Sequence, residues 1–294
     1  MNRFAFSFSA VALAALAVSA CSPPTDPPAP PMVTPSLTLS RSKVPLGAPI
    51  EMTYKFVVAA DAKFTQDYHV MVHFADQDDQ LMYSDDHDPP MPTSGWKPGQ
   101  TVEYTRTFFT PVYPYVGEAT VEIGMYAAGE KLRVPMAGTD TGHRSYKIAK
   151  FQLLAQTEGV QAIYQDGWHP GEGATASGAG WHWTKKAATF AVKNPKKDCI
   201  FYLDVDNPST LLNTPQQVTI STGSGAMLDQ FTVTAKQPVL RKIAISASAW
   251  GTADNSALQI SVDKTFVPDS LSPAAKDPRE LGIRVLHASI VPAQ

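Results

Sequence analysis

The chain has 294 residues, a formal net charge of −3, 17% charged residues and 44% hydrophobic ones. A near-neutral, mildly acidic chain with no basic run lacks the electrostatic footprint of a nucleic-acid binder and speaks against that class of partner. Its two cysteines, Cys21 and Cys199, leave no intramolecular disulfide once Cys21 is committed elsewhere.

Residues 4–20, FAFSFSAVALAALAVSA, are apolar or small throughout and follow Arg3. The small-residue end and short length fit a secretory signal better than a membrane span. With Cys21 at the cleavage position, Val18-Ser19-Ala20-Cys21 resembles the bacterial lipoprotein signal, in which the cysteine thiolate takes a diacylglyceryl group. The resemblance implies a signal peptide at 1–20 and lipidation of Cys21. It also implies a membrane anchor of two or three acyl chains, firm because each buried methylene contributes about 0.8 kcal/mol. Ser22 in place of aspartate favours the outer membrane. The proline-dense tract 22–36, SPPTDPPAPPMVTPS, reads as a polyproline spacer with a reach on the order of 45 Å, so the expected linker is 21–36 and the fold starts near Leu37.

Beyond the spacer, period-2 alternation dominates. Ile50, Met52, Tyr54, Phe56 and Val58 share one face against Glu51, Thr53 and Lys55, and Tyr68, Val70, Val72 and Phe74 repeat the pattern. Turn-forming stretches at 45–49, 76–80, 96–100 and 113–118 separate these runs. Further strand-like runs fall at 187–192, 199–205, 216–221, 228–235, 239–248, 257–262 and 282–291. The expected fold is all-β: two tandem antiparallel β-sandwiches, 37–156 and 157–294, the first Ig-like and the second jelly-roll or galactose-binding-like.

Three constellations are candidates for chemistry. If 76–80 is a symmetric hairpin turn, the return strand brings Asp85 and His87 opposite Met71 and His69. His69, Asp85 and His87 would then offer mixed nitrogen and oxygen ligands for zinc or a similar metal. The alternative is a loop braced by its aspartates bonding backbone amides. The second constellation is Trp168, His169 and Glu172 with Trp181 and Trp183. Aromatic faces beside carboxylates suit sugars, whose C–H faces lie on rings while their hydroxyls bond polar groups. Trp168 and Glu172 are the expected exposed pair; alternatively the tryptophans seal the sandwich and Glu172 pairs with Arg279. The third, Asp277-Pro278-Arg279-Glu280-Leu281-Gly282, reads as a lock on the last strand, with Gly282 permitting a bulge. Trp96 reads as a structural cover and Cys199, in an apolar run, as an inert buried thiol. No G-x-S-x-G, H-E-x-x-H or phosphate loop occurs, and GSGA at 223–226 reads as a β-turn.

Residues 68–133 carry HVMVHFAD, DDHDPPMPTSGWKPGQ and VEIGMYAAGEKLRVP and resemble an Ig-like module that accompanies bacterial polytopic glycosyltransferases. The second half, with GWHPGE, WHWT and FVP…DPRELGIRV, resembles a sandwich module found beside glycan-assembly enzymes. The resemblance implies an accessory envelope role without fixing an activity. The expected function is therefore a lipid-anchored, non-catalytic envelope protein, periplasmic or surface-exposed. It would bind a polysaccharide or an envelope protein and need no cofactor. A metal-dependent hydrolase using His69, Asp85 and His87, and a scaffold in an export complex, are the alternatives.

Overall fold

The computed structural model describes residues 26–173, 180–209, 211–212 and 214–293. The first half supplies β1 (Val33–Leu39), β2 (Lys43–Pro45), β3 (Pro49–Val58), β4 (His69–Ala75), β5 (Leu81–Ser84), β6 (Thr101–Phe109), β7 (Gly117–Tyr126), β8 (Thr139–Asp140) and β9 (Tyr146–Leu154). One sheet runs β1-β3-β6 and the other β2-β9-β7-β4-β5, with β8 on the side of β9. The opening stretch of chain is divided between the two sheets, and β2 lies parallel to β9. This is an Ig-like sandwich. The alternation on β3 decides which side faces in: Ile50, Met52, Tyr54, Phe56 and Val58 are all buried in the first core.

The fold begins earlier than the proline content suggests. Val33 already pairs with Val58, and Pro35 sits opposite Phe56. Strand β1 lies at a sheet edge, where the missing N–H of a proline costs no ladder bond. The tract before it is also tied down: Met32 donates to the Pro135 carbonyl at 2.8 Å, and Arg144 donates to the Pro27 carbonyl at 3.2 Å. From Asp26 onward the chain lies against the first sandwich; residues 1–25, including Cys21, lie outside the described residues.

The second half supplies β10 (Ala162–Tyr164), β11 (His182–Trp183), β12 (Ala187–Lys193), β13 (Cys199–Asp206), β14 (Gln216–Thr222), β15 (Met227–Val233), β16 (Val239–Ile245), β17 (Asn255–Val262), one helical turn α1 (Pro268–Leu271) and β18 (Arg284–Pro292). The sheets run β10-β12-β17-β14-β15 and β11-β18-β13-β16. Late strands insert between early ones in both sheets, β17 between β12 and β14 and β18 between β11 and β13. That double Greek key is a jelly roll.

The two sandwiches meet through the outer face of β13 and β18. Tyr202 and Val291 are buried as members of the first sandwich's core. Glu51 on β3 accepts from Lys242 at 2.5 Å and from Tyr202 at 3.1 Å. Burial pushes the Glu51 carboxyl up, but the bond and charge of Lys242 outweigh it and hold the group below the usual range. Phe109 stacks on His287 with ring centres 4.1 Å apart, and His287 contacts Asp204 at 3.1 Å.

Candidate functional site

The expected histidine–aspartate hairpin forms, but with a different register. Ala75 faces Leu81 as a symmetric turn requires, whereas Phe74 faces Tyr83, so Met82 is an extra residue on β5. This bulge displaces everything beyond it by one position. His87 therefore lies opposite Val70 rather than His69, exchanging backbone bonds of 2.8 and 3.0 Å. A slip of one residue turns a side chain to the other face of the sheet. His87 points into the sandwich at 8% exposure, while His69 stays outside against Asp88 and the Tyr126 ring. Asp85 turns to Arg106 at 3.2 Å. His69, Asp85 and His87 do not converge, and among the described residues no three His, Cys, Asp or Glu side chains are grouped to hold an ion.

Both ring nitrogens of His87 are engaged. Nδ1–H donates to the Asp85 carbonyl and Nε2 accepts from the Tyr104 hydroxyl, each at 2.9 Å. A carbonyl can only accept, so the neutral tautomer is fixed. Burial, joined by the Arg106 cation, holds the imidazole below its ordinary pKa against the opposing pull of Asp85. The unfolded chain takes up this proton first. The stability conferred by neutral His87 is therefore complete above about pH 6.5, begins to fall there and is lost as the pH drops on through the lower folded-state value. The melting temperature should drop from about pH 7.5 to about pH 5, and His87→Gln should flatten that limb. An equally steep limb in the variant would rule His87 out as the titrating group.

In the second sandwich, the chain around Trp168 is held rather than free. The Trp168 indole donates to the Thr189 carbonyl at 2.8 Å and packs on Phe190 with centroids 4.7 Å apart. His169 meets the Glu280 carbonyl at 2.7 Å. Glu172 pairs by backbone with Trp181 and by side chain with Arg279 at 2.5 Å. Arg279 also grips Asp277 at 2.7 Å, holding that carboxyl below its usual range. The Asp277–Arg279 turn thus locks Glu172 into place. Trp183 is buried with Phe266 and Leu281, with Trp181 packed against that cluster, whereas Trp168 packs on the main core of the second sandwich. Gly173 is required here: with φ at +67°, a Cβ on it would lie 1.9 Å from the Trp181 ring. Gly282 serves close approach rather than a bulge, since its Cβ would meet the Lys185 carbonyl at 2.6 Å.

Of these residues, Glu172 and Trp181 line a cleft of about 620 Å³ between the sandwiches. Strand β18 forms its floor from Leu286 to Pro292, roughly 20 Å at the rise of a β-strand. One end is aromatic: Tyr164, 37% exposed, stacks on His182 at 4.2 Å beside Trp181, with Gly171 and Glu172 on the rim. The other end carries Arg41 and Lys197, and Gln156, Glu158 and Gln161 flank the passage between the sandwiches. Trp181 is steadied by the Arg284 guanidinium 4.8 Å over its ring. Cys199, close by on β13, is fully covered, and burial raises its thiol pKa. Trp96 is likewise a core residue, packed on Phe56 and Phe64.

No protein-family model and no curated protein matches the sequence. Among solved structures, a family GH115 4-O-methyl-α-glucuronidase specific for decorated arabinogalactans is similar at 13% identity and a TM-score of 0.33, over 52% of this chain and 20% of that one. A carbohydrate-binding module, Xyl-CBM35, solved with a glucuronic acid-containing disaccharide, is similar at 13% identity and a TM-score of 0.28, over 46% of this chain and 94% of that one. A Bacteroides uniformis β-glucuronidase is similar at 9% identity and a TM-score of 0.30, over 88% of this chain and 30% of that one. The chain thus spans about a fifth of the length of the first of these.

The cleft itself is not apparent from any single motif, because it is made by strands far apart in sequence. One feature of β13 does point to it. Phe201, Leu203 and Val205 face the second core, yet Ile200 and Tyr202 on the opposite face are also apolar and pack on the first core. A strand apolar on both faces is covered on both. The outward face of β13 must therefore meet another layer, and here that layer is the other sandwich.

Proposed function

We propose that this chain is a lipid-anchored, non-catalytic cell-envelope protein that binds glycan in the cleft between its two sandwiches. The observation that carries the reading is the cleft's composition: a ring wall of Tyr164, His182 and Trp181 beside amide, carboxylate and cationic groups along an elongated floor. Sugars are bound by such a mixture, with C–H faces on rings and hydroxyls on polar groups. Among the described residues the carboxylates lining the cleft are Glu158 and Glu172, and Glu172 is committed to Arg279. That leaves no free pair for the acid–base division of labour in glycoside hydrolysis. The site moves from the Trp168–Glu172 loop expected from sequence to the cleft that this loop borders.

Lipidation of Cys21 supplies the anchor in this reading, with the outer membrane as its place. With Asp26 already docked near Arg144, only four residues would separate the acylated cysteine from the folded body, five steps with a reach of roughly 16 Å. The first sandwich then stands close to the lipid, and the chain acts as an accessory binder for a glycan-assembly system.

Tyr164→Ala tests the site. It should weaken retention of the protein in polysaccharide-containing gels by about tenfold, the worth of one aromatic contact, with the β-sheet circular dichroism preserved. Retention equal to the wild type would remove the cleft from consideration.

A further inference from the structure

The cationic end of the cleft carries more positive charge than the hydroxyls of a neutral sugar require. Arg41 lies between β1 and β2, and Lys197 between β12 and β13, so each sandwich contributes one of the two. The Nε of Arg41 is shut off from solvent without a hydrogen-bond partner, and among the described residues neither side chain is in an ion pair. Glu51, a carboxylate that feels the charge of Arg41, is already taken by Lys242 and Tyr202. A partly desolvated guanidinium that shares its nearest carboxylate with Lys242 is under-compensated, and an anion placed beside its accessible side offsets that cost.

The remaining charge in the cleft does not cancel this. Arg279 is shared by Glu172 and Asp277, so that trio keeps one negative charge, but it lies at the aromatic end, and among the described lining residues Glu158 is the further acid to set against Arg41 and Lys197. The floor of β18 separates the cationic end from the aromatic end, because Pro292 pairs with Cys199 near Lys197 while Val285 pairs with His182. One ligand filling the cleft therefore meets rings at one end and positive charge at the other. A monosaccharide does not span roughly 20 Å; an oligosaccharide does.

Resting on the glycan-binding reading above, we infer that the cleft selects an acidic oligosaccharide, its rings on Tyr164 and Trp181 and a sugar carboxylate on Arg41 and Lys197. Arg41 supplies the planar fork that fits a carboxylate with two parallel bonds, and Lys197 supplies a second, mobile charge from the opposite sandwich. The ligand thereby bridges the two domains.

The test uses the full chain in detergent, electrophoresed through gels containing polygalacturonate, its methyl ester, dextran sulfate or a panel of neutral polysaccharides. The methyl ester keeps the sugar backbone and removes the charge. The expected result is retention on polygalacturonate, much weaker retention on the ester, and no retention on dextran sulfate. Arg41→Gln should weaken retention roughly 10- to 100-fold, as expected for losing a charge-assisted pair. Lys197→Gln, at an exposed turn, should act in the same direction with less risk to folding. Equal retention on the ester, or wild-type retention by both variants, would overturn the acidic-sugar inference while leaving the cleft as a glycan site. Retention on dextran sulfate matching that on polygalacturonate would reduce the effect to general polyanion adsorption and overturn it too. Retention on no polysaccharide at all would overturn the glycan reading itself.

Discussion

Trp168→Ala is expected to lower the stability of the protein by about 3 kcal/mol, the lower end for losing a buried aromatic, because part of the indole remains exposed. Three contacts are lost together: the ring face on fully buried Phe190, the edge contact with Tyr164 at 4.7 Å, and the bond to the Thr189 carbonyl at 2.8 Å. The Thr189 carbonyl on β12 keeps its bond from the Gln165 N–H, so the loss there is one hydrogen bond and not a stranded acceptor. For a chain of this size the melting temperature should fall by roughly 6–12 °C. Glycan retention should fall as well, since Tyr164 and His182 lose the surface that holds them upright. Trp168→Phe separates the two roles. It refills most of the volume without the N–H, so stability should recover by more than half and retention with it. A stable Trp168→Ala variant that loses retention would instead make Trp168 a direct ligand contact.

The Trp168 example also shows how far sequence carries. Its loop was legible as special, being aromatic, glycine-rich and acidic at Glu172, with Arg279 far along the chain as a candidate partner for that carboxylate. What a single chain does not display is which side of such a loop meets the rest of the molecule. Strands with strict alternation, such as β3, declare their buried face because polar residues exclude the alternative. The run from His69 to Ala75 declares less. Met71, on the strand face opposite Val70 and Val72, is nevertheless only 1% exposed. It lies across Gly124, where there is no side chain to keep it out and the Arg133 stem covers it. The hairpin register failed for a sharper reason. One bulged residue, Met82, is invisible in a hydrophobic pattern, yet it decides whether His87 faces solvent or Tyr104. The cleft was beyond reach because its rings and its cations come from the two sandwiches and from both ends of β18.

Arg284→Ala is the second large effect. Arg284 opens β18 and sits opposite Asp206 on β13 and Trp183 on β11. Its guanidinium meets Asp206 through two parallel bonds of 2.7 and 2.5 Å, and its face lies over Trp181. Both side chains are largely covered, at 19% and 13% exposure, so this pair differs from a surface ion pair worth less than about 1 kcal/mol. Removing only the arginine strands the Asp206 carboxylate, and stability should fall by about 3 kcal/mol. Arg284→Lys keeps the charge but not the fork and should recover only part of the loss. The double variant Arg284→Ala/Asp206→Ala should be more stable than Arg284→Ala alone, because it removes the stranded charge along with its partner. The same single variant releases Trp181 from its cation, so glycan retention should weaken in Arg284→Ala and stay weak in the double variant. That dissociation, with stability recovered and retention not, distinguishes a residue that positions the cleft's ring wall from one that merely holds β18 to β13. Retention that recovers in step with stability would assign Arg284 to the fold alone.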